Sequence, residues 1–397
     1  MPKFSFDNSV YNKLWDSNEG RTLLTQIVND PDLVGIKPHY FPTAFTVDPN
    51  PVPTNEKGKA SFTVEAKYPE HSEMMDMRAP LGEGRLGEEG EISQYSGSIP
   101  DFIAPTWKEQ AMERLYKQRM FEKYGDDAAI IQGFATDQVA PRIESGYQTL
   151  DNLALTVETT GKCYYNEGVG IKSPIYTADI PDANRIPAGA KAWADPDCEL
   201  LTQMAEIEQY FKEDKWGVTF GMQWKFDENF VKNVILKNKQ VIDTIKTNWL
   251  ADNGQLIDQT SSVPNSIVTE DAFNRYVVGR FPGISPIRIV KSRQISNGQV
   301  INPWPDGVAV YCPAGFAGRI LRTEILDEEV YSLFGNKACD FSFARSLDGL
   351  MLVMNSVLPN GSLTEWQMKV MMSAVPVIED YLYRVIVNTK TAGSIKK

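Results

Sequence analysis

The clearest feature of the chain is a stripe of apolar residues at helical spacing between residues 139 and 157. Successive intervals of four, seven, three and four residues place this stripe on one face of a single long helix. The stripe consists of Val139, Ile143, Leu150, Leu153 and Val157. Pro141 is compatible only with the first turn of such a helix, and Gly161 is a typical C-terminal residue. The pattern predicts a long helix that ends at Gly161 and buries this face.

Other segments also carry helix signals. The strongest is Asp195–Phe211, in which Asp195 or Asp197 can act as the N-cap. Its expected buried face consists of Leu200, Met204, Ile207 and Phe211. Weaker helical patterns cover Trp107–Tyr124 and a short piece at Arg21–Asn29.

A hairpin is predicted before the long helix. In Ala60–Tyr68 the apolar residues alternate with polar ones, which is typical of a strand with one apolar face. Glu91–Ile99 can return as the second strand. An isolated two-stranded hairpin is marginally stable in water, so this excursion needs another surface to lean on. A neighbouring copy of the chain is a candidate for that surface, and the chain's own core is the alternative.

The second half of the chain mixes short helices with strands. Asp227 is placed to cap a short helix, and a further apolar cluster surrounds Ile245. Strands are expected at Gly217–Met222, Ile287–Val290, Pro305–Pro313, Phe341–Phe343, Leu350–Asn355 and Asp380–Val387. Because helices and non-local strands alternate without an internal repeat, the sequence predicts an α+β fold.

The first 55 residues predict an extended arm. The prolines that punctuate this segment are Pro31, Pro38, Pro42, Pro49, Pro51 and Pro53. A segment so interrupted rarely builds a core of its own. We therefore expect the arm to lie along another part of the structure.

Composition narrows the functional classes. The chain has 397 residues, 42% of them hydrophobic, and a formal net charge of -12. Such an acidic chain is poorly suited to direct nucleic-acid binding, which relies on cations that displace phosphate counterions. No apolar run approaches the roughly 20 residues of a membrane span, and the N-terminus lacks a signal-peptide core, so we expect a cytoplasmic site of synthesis and no membrane partner.

Cysteine and histidine usage favours neither disulfides nor a metal site. The four cysteines are far apart in the sequence, which predicts reduced and mostly buried thiols. His39 and His71 are the only histidines, and neither has a cysteine or second histidine nearby, which argues against zinc. Phosphate-loop, nucleophile-elbow and metalloprotease motifs are absent from the sequence. We expect no catalytic residues, no cofactor and no metal.

The segment Pro80–Glu91 contains a glycine pattern that invites a nucleotide interpretation. Gly82, Gly84 and Gly87 match G-x-G-x-x-G, but the preceding Met74–Pro80 is not an apolar strand. Acidic side chains here would also repel a diphosphate. These are Glu83, Glu88, Glu89 and Glu91. The segment is better interpreted as the solvated tip of the predicted hairpin.

In its order of parts and in four local sequences, the chain resembles the major capsid proteins of tailed bacteriophages, in particular their lambda-like branch. Ala154–Lys162 is similar to the end of the family's long spine helix, which often finishes in T-G-K. Asp195–Asn233 resembles the second helix, following strand and short helix. Pro305–Gly318 resembles the late strand and turn, and Leu350–Asn388 the returning strands.

The resemblance implies a Hong Kong 97-like capsid fold with a defined subdivision. The implied parts are an N-arm at 1–55, an extended loop (the hairpin) at 56–106, a peripheral domain at 107–214 with the spine helix at about 135–162, an axial domain at 215–345, and a return to the peripheral domain at 346–397. No long helical scaffolding segment precedes the arm, which suggests a separate scaffolding protein or none.

The resemblance also implies a function. Members are major capsid (head) proteins whose pentamers and hexamers form an icosahedral or prolate shell around double-stranded DNA. The expected partners are other copies of the chain, a scaffolding protein, a portal and a decoration protein, with the DNA enclosed without sequence-specific binding. The expected location is the virion, after assembly in the host bacterial cytoplasm.

Candidate inter-subunit contacts lie in the hairpin. Phe62, Val64 and Tyr68 are candidates on the apolar strand face, with packing on the chain's own core as the alternative. The tip contributes Glu83, Arg85, Glu88, Glu89 and Glu91. Exposed ion pairs each contribute only about 0–1 kcal/mol, so these charges would guide register more than hold a shell together.

Two other functions are compatible with the sequence. An encapsulin-like nanocompartment shell has a similar fold but begins with a helix in place of a proline-rich arm. A carboxylate-based hydrolase would require a concave site with a perturbed pair of acids. No spacing in the sequence singles out such a pair.

Overall fold

A computed structural model describes residues 22, 26, 39–55, 59–67, 92–110, 135–164, 174–218, 220–254, 260, 263–278, 280–281, 283–291, 294–296, 299–325, 340–346, 348–360 and 363–395. These residues fall into two compact units. The first contains the described residues of Met1–Phe62, Gly97–Leu153 and Arg319–Val377. The second contains those of Thr63–Ser96, Ala154–Gly318 and Ile378–Lys397.

The described elements confirm the predicted α+β class. The α-helices, in chain order, are α1 Phe41–Ala44, α2 Ala140–Thr160, α3 Leu200–Glu208, α4 Glu228–Asn233, α5 Lys239–Asp252 and α6 Glu270–Tyr276. The strands, in chain order, are β1 Phe45–Val47, β2 Ser61–Lys67, β3 Ile92–Ser98, β4 Asp101–Ile103, β5 Trp107–Gln110, β6 Lys162–Cys163, β7 Tyr176–Thr177, β8 Arg185–Pro187, β9 Met222–Asp227, β10 Ile287–Val290, β11 Gln294–Ser296, β12 Gln299–Ile301, β13 Val308–Pro313, β14 Gly318–Arg322, β15 Asp340–Arg345, β16 Leu352–Asn360, β17 Leu363–Ile378 and β18 Val385–Asn388. No helix in the described part of the chain is both long and apolar enough to cross a membrane.

Helix α2 forms where the apolar stripe predicts a helix. A π-helical turn at Ala135–Val139 leads into it, and Pro141 lies in its first turn. All five stripe residues are fully buried. Gly161 ends the helix with a φ of 72°, a conformation that favours glycine, and its N–H donates to the Val157 carbonyl at 2.8 Å.

Helix α3 is shorter at its start than predicted. It begins at Leu200, and the preceding Glu199 makes no side-chain capping bond. Asp195 instead accepts the N–H of Asp197 at 2.9 Å, so this aspartate stabilises a turn before the helix. The predicted buried face is correct, since all four of its residues are fully buried. The chain continues from α3 into a π-helical segment, Gln209–Lys215.

The first unit contains a seven-stranded sheet. Its order is β1-β14-β17-β16-β15, and β4 and β5 also pair with the 16-residue strand β17. The helix predicted at Trp107–Tyr124 is wrong over its first residues, because Trp107–Gln110 forms β5, antiparallel to β17 with Trp107 opposite Met368. Pairing with a long strand here overrides helix propensity. The remainder of that predicted helix, and most of Arg21–Asn29, lie outside the described residues.

The second unit contains a five-stranded sheet in the order β10-β9-β13-β18-β8. Strand β9 begins where the predicted strand Gly217–Met222 ends, which corrects that prediction, and all six of its residues are buried. Its aromatic side chains join a core with residues of α3 to α6. Asp227 caps α4 by accepting the N–H of Asn229 at 3.0 Å, as predicted.

Candidate functional site

The predicted hairpin is present as a two-stranded sheet of β2 and β3. The alternation in β2 places Phe62 and Val64 on a buried face, where each side chain is 7% exposed in the single chain. Little of either side chain remains for a neighbouring copy, which favours the alternative that they pack on the chain's own core. In β3, by contrast, Ile92 is 65% exposed.

Tyrosines fix β3 at the base of the hairpin within the second unit. The Tyr95 hydroxyl donates to the Ile378 carbonyl at 2.6 Å, and the Tyr381 hydroxyl donates to the Ser93 carbonyl at 2.7 Å. The Tyr95 ring stacks on Tyr176 with centroids 5.2 Å apart. Burial raises the pKa of Tyr95 well above its ordinary value, so its hydroxyl remains a donor. The base of the hairpin is therefore anchored.

The end of the predicted arm lies along strand β14 of the first unit. The Asp48 N–H donates to the Ile320 carbonyl at 3.0 Å, and the Val52 N–H donates to the Arg322 carbonyl at 2.8 Å. Arg319 adds an ion pair with Asp48 at 2.8 Å. Backbone pairing satisfies the polar groups of a segment that has no core of its own. This part of the arm is thus held by its own chain.

A histidine fastens the same segment to α2. His39 contacts Asp151 through Nδ1 at 2.8 Å and Glu144 through Nε2 at 3.0 Å. The Phe41 N–H donates to the other Asp151 oxygen at 2.8 Å, and the Phe41 ring stacks on Tyr147. Burial alone would lower the pKa of His39, but the hydrogen bonds and charges of the two carboxylates outweigh it and raise the pKa to about 9. Because both ring nitrogens are engaged, His39 is an anchor and has no nitrogen free to act as a base.

Three buried charges and the largely buried Asp380 join α2 to the sheet of the second unit. Lys225 Nζ lies 2.7 Å from Glu158 Oε2, and both side chains are fully buried. Arg384 lies 2.7 Å from Asp380 and 3.4 Å from Glu158. Two positive and two negative groups balance, as buried charges must.

Glu208 is a candidate acid, since it lines a cavity of about 450 Å³ together with Ser285. Burial raises its pKa, and hydrogen bonds from its neighbours partly offset that rise. Its carboxylate accepts Trp224 Nε1–H at 2.7 Å, Ser285 N–H at 2.8 Å, Ser285 Oγ–H at 2.5 Å and Tyr311 Oη–H at 3.2 Å. These bonds occupy both oxygens, so Glu208 organises its surroundings and is poorly placed to move a proton.

Several predicted contact residues lie outside the described residues. They are Tyr68, Glu83, Arg85, Glu88, Glu89 and Glu91, together with the whole tip 80–91. Sequence reasoning did not anticipate the exposed apolar side chains of the described residues. The large ones are Ile92, Ile103, Phe220, Val300 and Phe316. Periodicity cannot identify them, because isolated apolar residues on loops and edges carry no repeat.

Phe220 and Phe316 lie on turns that are joined by a hydrogen bond. The Ala314 N–H donates to the Gly221 carbonyl at 2.8 Å, which brings the two turns together. Phe220 also packs edge-on against Tyr383, with ring centroids 5.4 Å apart.

Comparison of the sequence with known proteins identifies no family for this chain. No protein-family model matches the chain, and no curated protein matches it. Similar solved structures include a protein provisionally assigned to the capsid of a prophage of Escherichia coli CFT073. Its sequence is 15% identical to this chain, and the two structures superpose with a TM-score of 0.43. The match covers 83% of this chain and 76% of that one. A phage-related protein of Bordetella bronchiseptica RB50 has 10% identity and a TM-score of 0.42, covering 93% and 96%. The mature capsid of bacteriophage PhiM1 has 9% identity and a TM-score of 0.40, covering 89% of each chain.

These TM-scores lie below 0.5 and the identities do not exceed 15%.

Proposed function

We propose that the chain is a major capsid protein of the tailed-phage type, which assembles into pentamers and hexamers of a closed shell around double-stranded DNA. The observation that carries the proposal is the hairpin. Its strand β3 is anchored by hydrogen bonds of Tyr95 and Tyr381, and the long segment 68–91 that precedes β3 has an acidic, glycine-rich sequence suited to contact with another molecule. The four-part sequence resemblance supports the same function.

The hairpin is the kind of element that makes contacts between the subunits of a shell. A closed shell needs heterologous contacts that repeat around rings, and projecting hairpins supply them. When a segment finds its binding partners only in the assembled shell, assembly stabilises the conformation of that segment. Glu83, Glu88, Glu89 and Glu91 would face basic residues of a neighbour, and Arg85 would face a carboxylate there.

The two compact units are proposed to be the capsid domains. We assign the peripheral domain to the unit with 97–153 and 319–377, and the axial domain to the unit with 154–318 and 378–397. These bounds differ from the sequence-based ones at 97–106, 154–214, 319–345 and 378–397. The N-arm keeps its proposed bounds at 1–55, and the extended loop becomes 56–96.

We also propose partners for the chain and no enzymatic role. A separate scaffolding protein, a portal and a decoration protein are the expected additional partners, and the virion is the expected location. A net charge of -12 suits a container that must not hold its DNA by tight binding. Within the described residues, the saturated Glu208 and the doubly paired His39 provide no free acid–base pair.

The experiment is an assembly assay of the variant Glu88→Lys/Glu89→Lys, expressed with the candidate scaffolding protein. Charge reversal at the tip is expected to reduce the yield of closed particles while the circular dichroism and thermal unfolding of the subunit stay unchanged. The matched control is Glu199→Lys/Glu213→Lys, which makes the same charge change at exposed positions outside the hairpin. Normal particles from the tip variant would remove the tip from the proposal.

A further inference from the structure

The C-terminal end of helix α5, in the second unit, carries an asparagine followed by a glycine. The helix ends at Asp252, and Asn253 and Gly254 come next, both exposed. Gly254 has a φ of 66°, in the left-handed region that favours glycine. Among the described residues outside its chain neighbours, no atom lies within 4 Å of the point where a Gly254 side chain would begin. The backbone nitrogen that follows Asn253 is therefore little shielded.

Two hydrogen bonds hold this asparagine and glycine against the last turn of the helix. The Gly254 N–H donates to the Ala251 carbonyl at 3.3 Å, and the Asn253 side-chain amide donates to the Trp249 carbonyl at 2.8 Å. Helix ends fray, so bonds at this place open at a smaller cost in free energy than bonds in a core. Once both bonds are open, the Gly254 nitrogen can approach the side-chain carbon Cγ of Asn253.

We infer that Asn253 is a site of spontaneous deamidation. The Gly254 nitrogen attacks Asn253 Cγ, and its proton leaves with the side-chain amide group as ammonia, so that a cyclic succinimide forms. Water then opens the ring at one of its two carbonyls and produces either aspartate or isoaspartate. Water is the only co-reactant, and nothing is oxidised or reduced. Glycine favours the first step because it carries no side chain to crowd the attacking nitrogen.

Both products change the end of α5, where Arg280 is bound. The Arg280 guanidinium lies 2.5 Å from Asp252 Oδ1 and donates to the Asn248 carbonyl at 3.3 Å. Aspartate at position 253 places a new negative charge at the C-terminus of a helix, where the helix dipole disfavours it. Isoaspartate lengthens the backbone by one carbon atom at the same position and displaces the Gly254 N–H from its acceptor. We therefore expect deamidation to loosen the last turn of α5.

The chain contains a matched control in helix α4. Asn233 is also exposed and also lies at the C-terminal end of a helix, but Val234 follows it. The β-branched side chain of valine crowds the backbone nitrogen that would have to attack. A comparison of Asn233 with Asn253 in one sample therefore isolates the effect of the following residue at two exposed helix ends.

The test is incubation of the full, unassembled chain at one fixed pH and temperature, followed by digestion and mass spectrometry. Asn253 is expected to convert to aspartate and isoaspartate at least about tenfold faster than Asn233. Asn253→Gln, which would require a larger ring, is expected to remove the product at this position. Equal rates at the two asparagines would overturn the proposal. It would also be overturned if Asn253 stayed intact over a period in which the urea-unfolded chain is converted there.

Hydrogen exchange of the variant Asn253→Asp tests the effect on the helix. Amides in the last turn of α5 are expected to exchange about two- to fivefold faster than in the unmodified chain, which corresponds to the usual size of a helix-dipole effect. Asn233→Asp makes the same change at the end of α4 and should leave the exchange in α5 unchanged. Unchanged exchange in Asn253→Asp would overturn the loosening. These measurements use the unassembled subunit, so they do not depend on whether the chain forms a shell.

Discussion

Replacement of Lys225 by methionine provides the most quantitative test of how the second unit is held together. Lys225 Nζ lies 2.7 Å from Glu158 Oε2 in a fully buried pair, and Arg384 lies farther from the same carboxylate at 3.4 Å. Methionine keeps much of the volume of lysine but removes the charge. The four balanced charges then become one positive and two negative groups.

The expected loss in the free energy of unfolding follows from the burial of that excess negative charge. At 2.7 Å and an effective dielectric constant of about 20, the pair's gross attraction is about 6 kcal/mol, part of which offsets desolvation of the two ions. Removing one partner of a buried pair costs about 3–5 kcal/mol, because the remaining ion stays buried. The double variant Lys225→Met/Glu158→Gln removes both charges and leaves Arg384 with Asp380. We expect it to recover most of that loss.

The assay is urea unfolding of the unassembled subunit, followed by tryptophan fluorescence, since the buried Trp224 directly precedes Lys225. The control is Lys232→Met, which removes a lysine paired with Glu228 at 2.6 Å on the surface, where the Lys232 side chain is 62% exposed. It is expected to cost at most about 0.5 kcal/mol. A loss below about 1 kcal/mol for Lys225→Met, or a double variant as unstable as the single one, would refute the reasoning.

Three other predictions follow from individual contacts. Because the pKa of His39 is raised from 6.5 to about 9, its bonds should contribute stability that is complete below about pH 6.5 and lost as the pH rises through about 9. Limited proteolysis of the N-terminal segment from pH 6 to 10 checks this, and a flat profile would contradict it. Gly161→Ala should cost about 1–2 kcal/mol in thermal unfolding, because φ is +72° and the new Cβ would lie 2.7 Å from Ile180 Cδ1; a neutral result would contradict the left-handed helix end. Tyr381→Phe should lower the free energy of unfolding by about 0.5–1.5 kcal/mol, because the hydrogen bond to Ser93 is lost. It should also increase the rate of proteolysis within 68–91. An unchanged cleavage rate there would argue against the anchor.

Periodic local patterns made much of the fold predictable. The apolar stripe from Val139 to Val157 identified α2 and its end at Gly161, and Asp227 identified the start of α4. These signals are local, since a helix face and a cap depend on residues a few positions apart. Trp107–Gln110 was assigned wrongly because its partner, β17, lies far away in the sequence.

The contacts within the candidate sites were less predictable, because they join residues that lie far apart in the sequence. Lys225 lies 67 positions from Glu158, and Arg384 lies 226 positions from it. A lysine between the aromatic residues Trp224 and Phe226 is a usable warning of a buried ion, but only the folded chain identifies its partner. The sequence argues against a metal site at His39 but does not predict its ion pairs, because the two carboxylates lie 112 and 105 positions away.

The central claim is that this chain forms a closed shell. The most direct measurement is negative-stain electron microscopy of the purified chain, alone and with its candidate scaffolding protein. We expect closed shells, tubes or rings of five and six subunits. A uniform monomer under all conditions would contradict shell formation and would renew the case for an enzyme.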